Sequence, residues 1–85
     1  MKVGKWFRED SINPDNGKAE LKYYYVTEEL NDEFLAIDVY KVYWNGKPSR
    51  KHTSQTHTST LDRCTLVSKK LALQVLGIED PEEGK

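Results

Sequence analysis

The chain has 85 residues, 36% hydrophobic and 32% charged, enough for one small domain that buries only about 60–65% of the surface its unfolded form exposes. The formal charge of −1 conceals a segregation: residues 41–70 carry seven bases against Asp62, a net +6, whereas residues 1–40 carry −4 and residues 71–85 carry −3. The single Cys64 excludes an intrachain disulfide and fits a reducing compartment.

No run approaches the roughly 18 apolar residues of a membrane span. The start, Met-Lys-Val-Gly-Lys-Trp, lacks the apolar stretch of a signal peptide. The expected protein is therefore soluble and cytoplasmic. A homodimer is the natural way to cover surplus apolar surface on so small a domain.

Taken in chain order, Lys2 to Glu9 predicts a first strand through Val3, Trp6 and Phe7. Asn13-Pro14-Asp15-Asn16-Gly17 follows, and Asn-Gly supplies the positive φ of a tight hairpin turn. Residues 19–28 hold Leu21, Tyr23, Tyr24, Tyr25 and Val26, a β-favouring run. After an Asn31-Asp32 turn, Phe34 to Trp44 predicts the strongest strand, with Leu35, Ile37 and Val39 alternating onto one face. Unbroken, that alternation would send Lys41 and Tyr43 to the core side. A bulge near Tyr40-Lys41, returning Val42 and Trp44 to the core, is the expected remedy.

Asn45-Gly46 signals a second hairpin. Residues 51–59 have no aliphatic side chain and read as a polar edge strand or an ordered loop. Ser59 and Thr60 offer N-caps, with Asp62 placed to complement the dipole of the first turn. From there the period changes: Leu61, Cys64, Leu71, Ala72, Val75 and Leu76 fall on one helical stripe, interrupted only by Thr65 and Ser68. Gly77 suits the helix end and Pro81 forbids continuation. The predicted fold is α+β: a four-stranded antiparallel β-meander packed against one C-terminal α-helix, β-β-β-β-α, over residues 1–79, with 80–85 as a flexible acidic tail.

Catalytic and metal chemistry find little support. His52, His57 and Cys64 show no metal-ligand spacing, and on a strand the two histidines would point to opposite faces. Cys64 sits on the apolar stripe, where a thiol behaves as a small hydrophobe, and the sequence gives it no partner histidine. No glycine-rich phosphate loop occurs. The reading is of a protein that is not an enzyme and needs no cofactor.

The basic segment points instead to a polyanion. Lys47, Arg50, Lys51 and His52 sit at or beside a turn, and Thr53, Ser54, Thr56, Thr58, Ser59 and Thr60 place six hydroxyls within eight residues. The expected binding region for single-stranded RNA or DNA includes Lys41, with Lys47, Arg50 and Lys51 on phosphates, Tyr43 for stacking, Thr53 and Thr56 as hydrogen-bond donors, and His52 as a polar or phosphate-contacting group. Lys69 and Lys70 would extend this patch only if the helix lay beside the turn. The competing expectation is a small phage-type inhibitor of a nucleic-acid-processing protein, presenting Glu28, Glu29, Asp32 and Glu33 as an acidic patch.

The stretch Phe34-Leu35-Ala36-Ile37-Asp38-Val39-Tyr40-Lys41-Val42-Tyr43-Trp44, followed by Gly46-Lys47-Pro48-Ser49-Arg50-Lys51, resembles the central hairpin of PC4-like single-strand-binding domains. The resemblance implies four strands leading into one helix, dimeric binding of single strands, and backbone contacts from Lys41, Arg50 and Lys51. PUR repeats run in similar order. The polar residues 52–60 depart from that family, whose last strand is apolar.

Overall fold

A computed structural model describes residues 2–43, 48, 49 and 51–81. The elements are β1 (Trp6–Ile12), β2 (Ala19–Glu29), β3 (Phe34–Val42), β4 (His52–His57), α1 (Thr58–Asp62), β5 (Thr65–Val67) and α2 (Lys69–Leu76). The strands form one antiparallel sheet in the order β4-β3-β2-β1-β5. The α+β class and the antiparallel meander hold. The first strand starts later than expected, at Trp6.

Side-chain chemistry sets the β1–β2 and β2–β3 turns. At the first, Asn13 Oδ1 accepts the Asp15 N–H and Asn16 Oδ1 accepts the Lys18 N–H, both at 2.9 Å, while Gly17 takes the left-handed backbone with φ 68°. At the second, Asn31 Oδ1 accepts the N–H groups of Glu33 and Phe34 at 2.8 and 2.9 Å. The Asn45-Gly46 hairpin and the place of Trp44 lie outside the described residues.

The sheet buries both faces, and this overturns two expectations. On one face Trp6, Tyr23, Tyr25, Tyr40 and Val42 pack against Ala72 and Leu76 of α2. On the other, Phe7, Tyr24, Val26, Leu35 and Ile37 pack against Leu61 of α1. Because Tyr40 and Val42 have a core of their own, β3 needs no bulge at Tyr40-Lys41. Its register against β2 runs unbroken from Ile37 to Val42, and the one shift lies between Val26 and Glu28.

The single C-terminal helix is likewise divided. Its apolar stripe serves both faces: α1 carries Leu61 across one, β5 then pairs with β1 at Trp6 to Arg8, and α2 carries Ala72 and Leu76 beneath the other. Thr65 and Ser68, the two breaks in the stripe, mark the division. Ser68 is the N-cap of α2, its Oγ accepting the Leu71 N–H at 3.1 Å.

Neither Ser59 nor Thr60 caps α1. The cap is His57, whose Nδ1 accepts the Ser59 N–H at 3.1 Å, and Asp62 closes the helix instead of opening it. Gly77 ends α2 in the left-handed conformation as expected, its N–H donating to the Leu73 carbonyl. Lys69 Nζ binds Asp80 Oδ2 at 2.7 Å, which ties down the first residue of the acidic tail. No helix among the described residues is long and apolar enough to cross a membrane.

Candidate nucleic-acid interface

Strand alternation sorts the basic segment by face. The α1 face presents Glu9 and Ser11 from β1, Glu20 and Lys22 from β2, Val39 and Lys41 from β3, and His52, Ser54 and Thr56 from β4. α1 covers only the Leu35–Ile37 end of this face. The other end carries a depression of about 450 Å³ lined by Val39, Lys41, Tyr43, Ser49, Lys51 and His52. A second, of about 300 Å³, lies next to it and shares Lys41 with it, adding Lys22, Ser11, Asn13 and Glu20 among its walls.

Local backbone geometry builds the first depression. Ser49 Oγ accepts the Lys41 N–H at 2.9 Å, and the Ser49 N–H donates to the Lys41 carbonyl at 2.7 Å. These bonds fold residues 48–49 against the end of β3, together with the Val42–Pro48 bridge. Tyr43 stays 39% exposed at the rim, enough bare ring for a base to stack on.

Lys22 is the residue that sequence reasoning missed. It stands directly across from Lys41 in the β2–β3 register and from Glu9 in the β1–β2 register. Two like charges in direct cross-strand opposition destabilise a sheet. Among the described residues no carboxylate lies within ion-pair distance of Lys22, Lys41 or Lys51. Glu20, only 7% exposed, is engaged instead by Asn13 Nδ2 at 3.3 Å. The sequence held no direct signal: the register beside the turn, Glu29 to Leu35, would pair Lys22 with Val42, and only the shift between Val26 and Glu28 brings Lys22 opposite Lys41.

Lys41, Tyr43, Lys51 and His52 are thus brought together. Thr56 shares their face but stands four residues along β4 from His52, roughly 13 Å away. Thr53 does not join them: it opposes Asp38 on the α2 face, and its hydroxyl donates to Asp38 Oδ1 at 3.3 Å. Lys47 and Arg50 lie outside the described residues. Lys69 and Lys70 belong to α2, beneath the opposite face, and Lys69 is held by Asp80. His52 and His57 point to opposite faces of β4, because their partners Val39 and Phe34 do.

Burial and the Glu9 carboxylate govern the titratable groups under α1. Burial, the Glu9 carboxylate and the hydrogen bond to it (3.1 Å) push the Tyr24 phenol well above its ordinary range. Burial, followed by Glu9, raises the Cys64 thiol, and Arg63 offsets this only in part. Cys64 Sγ donates to the Thr60 carbonyl at 3.3 Å. A protonated, half-buried thiol of this kind is a weak nucleophile.

The acidic residues occupy the far end of β3. Glu28, Glu29, Asp32 and Glu33 surround the β2–β3 turn and are all exposed, roughly 23 Å along the strand from Lys41. No protein family, curated protein or solved structure matches this chain.

Proposed function

We infer that the protein is a non-catalytic binder of single-stranded nucleic acid, RNA or DNA, acting in a reducing compartment such as the cytoplasm. The observation that carries this reading is the convergence of Lys41, Lys51, Tyr43 and His52 on one depression, with Lys22 across the strand from Lys41 and none of the three lysines within ion-pair distance of a carboxylate among the described residues, although Glu9 opposes Lys22 on β1 and Glu20 lines the adjoining depression. Phosphate oxygens relieve the like-charge repulsion, and Lys51 extends the cationic track. Tyr43 offers a stacking surface worth about 1–3 kcal/mol per base, and His52 and Ser49 supply hydrogen-bonding groups beside it. The exposed Tyr43 ring suits an unpaired base, which favours a flexible single strand.

Fluorescence anisotropy of a labelled single strand tests the reading. Replacing both Lys22 and Lys41 with alanine is expected to lower the steepness of the salt dependence by about 1.4 log units per log unit of salt, from 0.7 per phosphate contact. An unchanged slope refutes the assignment of these two lysines.

The separation of charge along β3 favours one second reading. An inhibitor that docks on a nucleic-acid-processing protein would use Glu28, Glu29, Asp32 and Glu33. In that case Glu28→Lys with Glu29→Lys abolishes binding to the protein partner, and naked oligonucleotide is ignored.

A further inference from the structure

We propose that the outer edge of β4 pairs antiparallel with β4 of a second copy of this chain, joining two five-stranded sheets into one across a two-fold axis near Gln55. The Thr58 N–H donates to the Glu33 carbonyl at 2.8 Å, and residues 52–57 oppose residues 39–34 in order. Bonded and non-bonded pairs alternate in an antiparallel ladder. His52, Ser54 and Thr56 therefore turn their backbone groups toward β3, whereas Thr53, Gln55 and His57 turn theirs outward. β4 ends the sheet order, so no described strand receives them, and the Gln55 carbonyl has only a long contact of 3.4 Å from the Ser54 hydroxyl.

Natural edge strands are ordinarily guarded by lysine, proline, a bulge or short length. The opposite edge is guarded in this way: β5 has three residues, and beyond it β1 shows Glu9 and Asp10. β4 has six residues, His-Thr-Ser-Gln-Thr-His, with no proline, lysine or carboxylate and no register shift against β3. Its composition suits pairing rather than repelling it.

Charge identifies the occupant. Lys41, Lys51 and His52 lie at the start of β4, and Glu28, Glu29, Asp32 and Glu33 lie near its end, where Glu33 meets Thr58. In an antiparallel pair centred on Gln55, Thr58 of the partner copy stands opposite His52. The partner's acidic turn then comes within two strand spacings of Lys51, about 10 Å, close to the screening length at moderate salt. The two-fold repeats the match at the other end. A parallel pairing would set the two acidic turns side by side, so the complementarity selects the antiparallel one.

The inference does not rest on the nucleic-acid reading, and its test uses no nucleic acid. Sedimentation of the full chain across a wide range of protein concentration is expected to show a monomer–dimer equilibrium that weakens with salt. Amide exchange at Thr53, Gln55 and His57 should slow as the dimer forms, while Ser54 and Thr56 stay protected throughout. Gln55→Pro removes an outward N–H without breaking a bond to β3, and circular dichroism confirms that the fold survives.

A charge swap carries the test if that variant unfolds. At low salt, where screening is weak, Glu33→Lys or Lys51→Glu alone should weaken association about tenfold, and the two together should restore it to within about threefold. A dimer indifferent to Gln55→Pro and to both single reversals overturns the proposal, because its interface is elsewhere. A monomer at every concentration overturns it as well, and leaves the edge to a strand from a different protein.

Discussion

The division of the C-terminal stripe makes a sharp prediction about two leucines that a continuous helix would treat alike. Leu61 is 2% exposed and is the only buried residue of α1, seated against Leu35, Ile37 and Tyr24. Leu71 is 42% exposed on α2. Leu→Ala removes three carbons, about 2.4 kcal/mol of transfer free energy when fully buried. At Leu61 a cavity term adds to this, for a total of about 3 kcal/mol, in the lower half of the usual range because a five-residue helix can partly settle into the gap. At Leu71 only the buried fraction counts and no cavity forms, which gives about 1.4 kcal/mol. The gap of about 1.6 kcal/mol corresponds to roughly 10 °C in a domain of this size. Urea and thermal unfolding, followed by circular dichroism, read it directly. Equal losses from Leu61→Ala and Leu71→Ala would refute the two-faced core and restore the single helical stripe.

Ser68→Ala removes the cap on the Leu71 N–H and should cost about 1 kcal/mol, visible as a lower urea midpoint at unchanged slope. The Tyr24 phenol holds its proton in the folded chain beyond the pH at which the unfolded chain loses it, near 10.0. Its contribution to stability is therefore fully present below pH 10 and is lost as pH rises above it. Tyr40 is raised in the same direction, by burial and then by Asp38, so Tyr24→Phe should flatten the alkaline slope of stability without abolishing it. Cys64 should react with a disulfide reagent at neutral pH more slowly than a free cysteine, because burial keeps it in the thiol form; a faster reaction would contradict its place under α1. Since the partner's acidic turn and a polyanion seek the same lysines, added oligonucleotide should shift sedimentation toward monomer, and an unchanged equilibrium would separate the two surfaces.

The features written locally in the chain were legible. Asn-Gly and Asn-Asp punctuate the meander, Leu35, Ile37 and Val39 alternate as expected, and Gly77 ends the last helix in the conformation that favours glycine. Two failures of the fold reading, the bulge and the single helix, share one cause, the assumption of a single buried face. With one core, Tyr40 and Val42 demand a bulge; with two, ordinary alternation buries both. The stripe from Leu61 to Leu76 fits one helix by period, yet Thr65-Leu66-Val67 is β-favouring and Ser68 is a cap, signals too short to outweigh the periodicity. In the candidate site, Lys41, Tyr43, Lys51 and His52 follow from position near the hairpin. Thr53 was misplaced because hydroxyl content says nothing about face, and register sends it to Asp38. Lys22, flanked by Leu21 and Tyr23, carries no signal of its own and gains significance only through the strand opposite it.

The most direct test of the functional account is titration of the protein into labelled single-stranded RNA, single-stranded DNA and duplex across salt concentrations. With about four phosphates neutralised, single-strand affinity should fall with a log–log slope of about −2.8, roughly fifty-fold between 50 and 200 mM salt, and duplex should bind more weakly throughout. Flat titrations at low salt, or duplex preferred over single strands, would contradict the assignment of Lys22, Lys41, Tyr43 and Lys51 to a single-strand site.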